Sequence, residues 1–153
     1  MKVRIDIQSN LEEDEVVIRC ASINETILQI QNLISNFGMD TKNLTLLKGD
    51  TEYFIPQEQI LFFETESKTV VAHTAEKMYE TQYKLYELEE ILPRYFMRIS
   101  KSTIVNLKQI YSITRNLTAS SKVEFYDSIK KVYVSRNYYK ALIERMGEKR
   151  RNV

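Results

Sequence analysis

Hydrophobic and polar residues follow two different periods along this chain. Near the start, Val3, Ile5 and Ile7 alternate with polar residues, which is the period of a half-buried strand. A second short apolar run, Val16–Ile18, follows an acidic segment and predicts a second strand. The segment LTLLKGDTEYFI, residues 44–55, predicts a hairpin whose two strands are joined at a Gly-Asp turn.

Between these strands the pattern changes to the helical period. In SINETILQIQNLISNFG, residues 22–38, Ser22 or Asn24 can cap a helix and Gly38 supplies a stop. Its apolar stripe comprises Ile23, Ile27, Ile30, Leu33 and Ile34. Together these elements predict a small α+β module over residues 1–55, whose default role is dimerisation or partner binding.

After the hairpin, the pattern predicts short strands separated by polar turns. A short amphipathic helix covers residues 84–92, and a last helix starts after Ser135 and runs to about Met146, where Gly147 ends it. The predicted strands cover residues 60–64, 69–73, 77–81, 109–114, 122–125 and 130–134. The chain is therefore predicted to have an α+β fold that is predominantly β, with a second domain over residues 56–148.

Charge is distributed unevenly, although the formal net charge is only +1. Residues 1–58 hold 5 Lys+Arg against 10 Asp+Glu, whereas residues 93–153 hold 14 against 4. A basic rear segment of this kind is typical of a surface that binds a polyanion. A solvated basic face without a partner is the alternative that composition leaves open.

The sequence offers no support for an enzyme, a metal site or a cofactor. Its 3 glycines cannot form a Gly-rich phosphate loop. His73 and Cys20 are the single histidine and the single cysteine, and no pair of residues has the spacing of zinc ligands. His73 is interpreted as a structural histidine. The acidic cluster of the short helix is typical of a solvated face, so we expect no catalysis and no small-molecule substrate.

Two features lead us to expect a cytoplasmic protein. A lone thiol, Cys20, cannot form an internal disulfide and fits a reducing compartment. The first residues, MKVRIDIQSN, lack the apolar core of a signal peptide, and no apolar run approaches the roughly 18 residues that span a bilayer.

The stretch RISKSTIVNL, residues 98–107, places polar donors within an apolar strand pattern. Cations and hydroxyl groups are the donors that phosphates and base edges accept. Asn106 is interpreted instead as satisfying backbone groups nearby. The candidate donors are Arg98, Ser100, Lys101 and Ser102.

A second cationic cluster lies in KKVYVSRNYYK, residues 130–140. Ser135 can cap the last helix there, with Arg136 and Asn137 in the first turn. Free amide groups and the dipole at a helix N-terminus attract phosphate, so this cluster is a second candidate for nucleic-acid contact. The tyrosines that follow are interpreted as packing residues rather than base-stacking residues.

The order of four motifs is more specific than their composition. They are ILFFET (60–65), YKLYELEEILP (83–93), FMRISKSTIVNLKQI (96–110) and VYVSRNYYKAL (132–142). With them the rear part of the chain resembles the LytTR family of bacterial DNA-binding domains. The usual central motif of that family, F-x-R-x-H-R-S-x-I-V-N, is kept except at Ser100 and Lys101, where His and Arg are usual. Lysine keeps the charge but loses the planar fork of arginine.

The resemblance implies a β-rich domain of about ten short strands with a short mid-domain helix and a C-terminal helix. In such a domain loops, rather than a recognition helix, enter the major groove. The base contacts implied for this chain are Lys68, Lys101 and Arg136. The implied phosphate or supporting contacts are Arg98, Ser100, Ser102, Arg115, Lys131, Ser135 and Asn137.

The function implied is a sequence-specific transcriptional regulator that reads direct repeats in promoter DNA as a homodimer. The front module is too short for a receiver domain, so the chain resembles the simple regulators of the family. Some of these are restrained by a small membrane protein, which makes such a protein or a second copy the candidate partner of the front module. The alternative is a protein-interaction module whose basic C-terminal half binds an acidic protein partner.

Overall fold

The computed structural model describes residues 2–10, 15–37 and 43–151, and divides the chain into two compact units, Met1–Ser35 and Asn36–Val153. The described residues form ten strands and three α-helices, so the predicted α+β fold, predominantly β, is confirmed. None of the described helices is both long and apolar enough to cross a membrane.

The first unit contains most of helix α1, Glu25–Phe37. Asn24 caps this helix, since its Oδ1 accepts a hydrogen bond of 3.0 Å from the amide of Ile27. Asn24 was one of the two predicted caps, while the predicted stop at Gly38 lies outside the described residues.

The two strands predicted at the start of the chain are wrong. Residues 2–8 and 15–20 form no strand. They lie side by side, because Lys2, Arg4 and Asp6 line one cleft together with Glu15 and Arg19. The predicted alternation of side chains is therefore present in this segment. A half-buried strand also needs a layer that covers its apolar face, and within the described residues the apolar side chains of this segment remain exposed.

The second unit holds all ten strands in two antiparallel sheets. The seven-stranded sheet has the order β2-β1-β5-β4-β3-β7-β6, and the three-stranded sheet has the order β10-β9-β8. The strands are β1 Asn43–Lys48, β2 Thr51–Pro56, β3 Phe62–Glu66, β4 Thr69–His73, β5 Met78–Thr81, β6 Phe96–Arg98, β7 Thr103–Asn106, β8 Ile110–Thr114, β9 Ser121–Phe125 and β10 Lys131–Val134.

The predicted hairpin exists as β1 and β2, but it belongs to the large sheet rather than to the front of the chain. Leu47 of β1 pairs with Glu80 of β5. Leu44 and Leu46 are buried in a hydrophobic core of the second unit, and this burial stabilises the packing of the hairpin against that unit. The predicted division after residue 55 thus separates a hairpin from the sheet with which it pairs.

Two hydrophobic cores lie on opposite faces of the central strands. Phe63 and Ile104 belong to the first core, and Phe62 and Val105 belong to the second core. Strand β7 and the first two residues of β3, Phe62 and Phe63, are therefore buried on both faces. The predicted short helix is α2, Leu85–Ile91. Leu88 and its neighbours on the inward face of this helix belong to the first core.

The last helix, α3, spans Arg136–Arg151 and does not end at Gly147 as predicted. Glycine lowers helix stability by about 1 kcal/mol relative to alanine, but it ends a helix only where the chain turns into a left-handed conformation. Gly147 keeps helical backbone, whereas Gly49, in the β1–β2 turn, has a φ of +62°. Leu142 on the inner face of α3 is fully buried in the second core.

The same substitution should have opposite effects at these two glycines. Gly49→Ala should lower the free energy of unfolding by about 1 kcal/mol, because a Cβ strains a residue at positive φ. Gly147→Ala should raise it by up to about 1 kcal/mol, because nothing lies within 4 Å of the added carbon in a helix. Urea denaturation of both variants measures the two signs, and destabilisation by Gly147→Ala would contradict a continuous α3.

Candidate nucleic-acid interface

Three loops of the second unit come together at one end of its central strands. They are the turn after β3, which contains Ser67 and Lys68, the loop between β6 and β7, residues 99–102, and the junction of β10 with α3 at Ser135. The antiparallel pairing of Glu64 with Thr103 already brings the end of β3 to the start of β7. The three loops carry the three predicted base-contact residues.

Two backbone hydrogen bonds join these loops directly. The amide of Thr65 donates to the carbonyl of Ser102 over 2.9 Å, which ties the end of β3 to the β6–β7 loop. The amide of Ser135 donates to the carbonyl of Ile99 over 2.9 Å, which ties the same loop to the start of α3. The β6–β7 loop is thus the centre of the cluster, and Ile99, fully buried, anchors it in the second core.

Lys68, Lys101 and Arg136 are all exposed. Within the part of the chain that the structure describes, none of the three charged groups forms an ion pair with a carboxylate. The loops therefore present three cations to solvent, one from each segment.

The first turn of α3 starts at Ser135. The carbonyl of Ser135 accepts hydrogen bonds from the amides of Tyr138, at 3.0 Å, and Tyr139, at 3.1 Å, so it begins the helical ladder. Arg136 and Asn137 in this turn are exposed. Both tyrosines pack against the second core, which confirms their interpretation as packing residues.

The two serines of the β6–β7 loop shape it from within. The amide of Ser102 donates to Ser100 Oγ over 3.2 Å, and the two hydroxyl oxygens lie 3.4 Å apart. Such a local bond stabilises a tight turn. Both side chains are half-buried, and the loop conformation that they support exposes Lys101 between them.

Arg98 has a role that the sequence did not reveal, because each nitrogen of its guanidinium group has a protein partner. Nε donates to the carbonyl of Ser100 over 2.8 Å, Nη1 contacts Glu89 Oε2 at 3.1 Å, and Nη2 donates to the carbonyl of Lys101. The predicted phosphate contact would have to compete with these bonds. A loop that bulges between paired strands leaves carbonyl groups unpaired, and a neighbouring arginine is the signal that could have suggested this arrangement.

The remaining two predicted phosphate contacts lie at opposite ends of the small sheet. Arg115 follows β8, and its guanidinium stacks over the ring of Tyr139, 5.3 Å from the centroid, close to the start of α3. Lys131 is at the other end of β10, where it pairs with Glu124. The three steps from Lys131 to Val134 span about 10 Å, so Lys131 lies at the far end of β10 from the start of α3.

Asn106 is a structural residue, as predicted. It is fully buried, its Nδ2 donates to the carbonyl of Ile60 over 2.9 Å, and its Oδ1 accepts from the amide of Lys108 over 3.0 Å. These bonds satisfy a backbone carbonyl just before β3 and a backbone amide just after β7. They hold β7 against the residues that lead into β3.

His73, the last residue of β4, lies in an internal polar network. Its ring stacks on Phe62, with centroids 4.2 Å apart, and Lys130 Nζ lies 3.4 Å from Nδ1. An ammonium group can only donate, so Nδ1 accepts and Nε2 carries the proton of the neutral ring. Nε2 is 3.3 Å from Glu66 Oε1, in poor alignment for a hydrogen bond. Glu66 is the last residue of β3 and directly precedes the turn.

The ligand atoms of Glu64, Glu66 and His73 lie within 4.8 Å of one another, which is close enough for a metal ion. The tautomer set by Lys130 opposes that use. A metal at Nε2 requires a proton on Nδ1, which would then face an ammonium group. Within the described residues, the network joins His73, the last residue of β4, to Glu66 of β3 and to Lys130.

Burial lowers the pKa of His73, and Lys130 lowers it further, while Glu66 opposes both effects. Burial raises the pKa of Glu64, with a further contribution from Glu66. The two pKa shifts change the pH dependence of folding stability in opposite directions. The histidine favours its neutral form in the native state, and the carboxyl group favours its protonated form.

The comparisons with known proteins agree with the β-rich fold of this domain. The LytTr DNA-binding domain matches residues 50–147 of the chain. The chain therefore belongs to the LytTR family of DNA-binding domains.

Particular relatives resemble it over most of its length. An uncharacterized HTH-type transcriptional regulator of Staphylococcus aureus strain NCTC 8325 is 29% identical over 148 residues, which cover 96% of this chain and 99% of that protein. A regulator of the same description from strain N315 matches to the same extent. In fold, the chain is similar to the LytTr DNA-binding domain of a methyl-accepting/DNA response regulator from Bacillus cereus, with a TM-score of 0.61, 24% identity, and coverage of 67% of this chain and 96% of that chain.

The helix-turn-helix in the names of the two staphylococcal relatives has no counterpart among the described residues of this chain. Strands β1–β5 separate α1 from α2, and strands β6–β10 separate α2 from α3. No two successive described helices are joined by the short turn that defines that motif.

The stability of the native state should depend on pH through His73. The lowered pKa means that the unfolded chain binds more protons, so the contribution of His73 is complete above its ordinary pKa of 6.5 and is lost as the pH falls towards the lower native value. His73→Gln should flatten the loss of stability between about pH 8 and pH 5, measured by urea denaturation. Glu64→Gln should make the loss of stability with falling pH steeper. If the free energy of unfolding changes with pH in both variants as it does in the unmodified chain, these pKa shifts are wrong.

Proposed function

We propose that this chain is a transcriptional regulator that binds double-stranded DNA in a sequence-specific manner by inserting loops into the major groove. The observation that carries the proposal is the pair of backbone hydrogen bonds, Thr65 to Ser102 and Ser135 to Ile99, that hold three cation-bearing loops together. Membership of the LytTR family supports the DNA-binding part of the proposal, and the names of the relatives support the regulatory part.

In this proposal Lys68, Lys101 and Arg136 read base edges. Lysine and arginine donate to guanine O6 and N7, and each good contact of this kind discriminates between bases by about 1–3 kcal/mol. Their exposure and their freedom from ion pairs in the described structure support the role. A lysine at 101 makes a single-point contact where an arginine would make two, so its base preference is weaker.

The phosphate contacts in the proposal surround the start of α3. The 16-residue helix begins with Arg136, and its first amide groups carry partial positive charge. Ser135 and Asn137 add donors there, and Arg115 lies beside the same turn over Tyr139. Ser100 and Ser102 hold the central loop, while Lys131 is too far along β10 to join this group.

Two copies binding direct repeats would be joined through the front of the chain. In the first unit Val3, Ile5, Ile7 and Leu33 are each at least 71% exposed. Apolar surface in water costs about 25 cal/mol per Å², so a second copy with the same faces is the partner that removes it on both sides. This surface supports the proposed homodimer, with a small membrane protein as the other candidate occupant.

Selection of bound duplexes from a random pool tests the proposed contacts. The unmodified chain should enrich a repeated motif. Lys101→Ala and Arg136→Ala should each lose definition at different positions of that motif, because each loses one base contact. Lys131→Ala is the matched control: it removes the same charge from the far end of β10 and should leave every position unchanged.

The selection also separates the proposal from an acidic protein partner for the basic half of the chain. If no motif is enriched at low salt, the DNA-reading proposal fails. If a motif is enriched but all three variants lose affinity equally with no positional change, the cations supply charge only, and base reading by these residues is wrong.

Sedimentation equilibrium over a range of concentrations tests the dimer. Leu33→Asp should weaken self-association by roughly ten- to a hundredfold, which corresponds to the burial of one leucine side chain. Ile129→Asp is the control, because Ile129 is 100% exposed in the second unit. A chain that is monomeric without substitution would contradict the dimer and direct attention to a membrane-protein partner. Equal weakening by both variants would show a non-specific apolar effect.

A further inference from the structure

The β6–β7 loop projects beyond the last pair of residues that its strands share, Arg98 and Ile104. At its base, the amide of Ile99 donates to the carbonyl of Thr103 over 3.0 Å, and the carbonyl of Ile99 accepts from Ser135. The next two carbonyls, of Ser100 and Lys101, lie outside the ladder. Their orientation sets the direction of the peptide planes on either side of Lys101.

Arg98 binds both of these carbonyls with one guanidinium group. Nε donates to Ser100 O over 2.8 Å and Nη2 donates to Lys101 O. The guanidinium is planar and its donors form a rigid fork, so two bonds to successive carbonyls fix the peptide planes relative to each other. A lysine could bind one carbonyl but could not hold two at a fixed angle.

Glu89 of α2 holds the guanidinium from its third nitrogen. The Nη1 to Oε2 distance is 3.1 Å, and the arginine side chain is only 22% exposed. This contact orients the fork and cancels its charge. A neutralised and partly buried guanidinium attracts a phosphate weakly, and a phosphate would have to displace either Glu89 or the loop carbonyls.

We infer that Arg98 and Glu89 form a positioning pair that sets the conformation of the DNA-reading loop and thereby the direction of Lys101. This inference rests on the proposed function, in which Lys101 reads a base. It assigns Arg98 a role different from the phosphate contact implied by the family resemblance, and it gives Glu89 of α2 a role in DNA recognition without contact to DNA.

Three substitutions distinguish a positioning pair from a phosphate contact. Arg98→Lys keeps the positive charge but loses the fork, so base preference at the position read by Lys101 should fall by roughly five- to a hundredfold. The dependence of affinity on salt should stay unchanged, whereas the loss of one phosphate contact lowers its slope by about 0.9. A phosphate contact predicts that Arg98→Lys leaves both quantities unchanged, since lysine also binds phosphate well, so base preference is the quantity that decides between the two roles.

Glu89→Gln removes a negative charge from the side of the loop. If Glu89 acts only through long-range repulsion of DNA, binding strengthens and the motif stays defined. If it positions Arg98, the motif loses definition at the Lys101 position. Glu90→Gln is the matched control, because Glu90 is the next residue of α2, is exposed, and carries the same charge.

The double variant Arg98→Lys with Lys101→Ala completes the test. Because Arg98 acts through Lys101, the double variant should bind no worse than Lys101→Ala alone, whereas an independent contact predicts additive losses. Thermal unfolding of each variant shows whether a loss of binding reflects a loss of folding. If the Arg98→Lys variant does not fold, Glu89→Gln tests the same contact, because the Glu89 side chain is more exposed than that of Arg98.

The outcomes separate the inference from the proposed function. If the unmodified chain enriches no DNA motif, the proposed function fails. If it enriches a motif and Lys101→Ala loses base preference at one position, the proposed function stands. If Arg98→Lys and Glu89→Gln keep the base preference at that position, the positioning pair is overturned.

Discussion

The arrangement of this domain depends on the hydrogen bonds that the β6–β7 loop makes to its two neighbours. Thr65 donates to Ser102 on one side of the loop, and Ser135 donates to Ile99 on the other. The first bond connects the loop to strand β3, and the second connects it to the residue that precedes α3. Charged side chains on mobile loops lose entropy when they bind, and a fixed frame reduces that loss.

The polar residues around this frame have separate tasks. Asn106 pairs backbone near the end of β7, Arg98 binds the loop carbonyls, and His73 contacts Lys130 and Glu66. All three residues could be mistaken for ligand contacts in the sequence, because cations, amides and imidazoles serve both purposes. Burial and partner geometry decide between the two uses.

Much of the fold could be predicted from local patterns. The turn of β1 and β2 at Gly49, the strand Thr69–His73 and the helix Leu85–Ile91 follow from periods of two and 3.6 residues and from turn residues, all of which are local properties. Two of the differences concern long-range partners. The hairpin pairs with the large sheet, and within the described residues no layer covers the apolar side chains at the start of the chain. The third difference is local, since α3 continues through Gly147.

The sequence by itself determined the family, the β-rich class and the cations of the candidate interface, because motif order and side-chain chemistry are properties of the chain. Only the tertiary structure decided which of those cations meet. It brings Lys68, Lys101 and Arg136 to one end, leaves Lys131 at the other, and turns Arg98 inward to Glu89. The physical reason is that strand register and backbone hydrogen bonds join residues far apart in sequence, and no local period specifies those pairings.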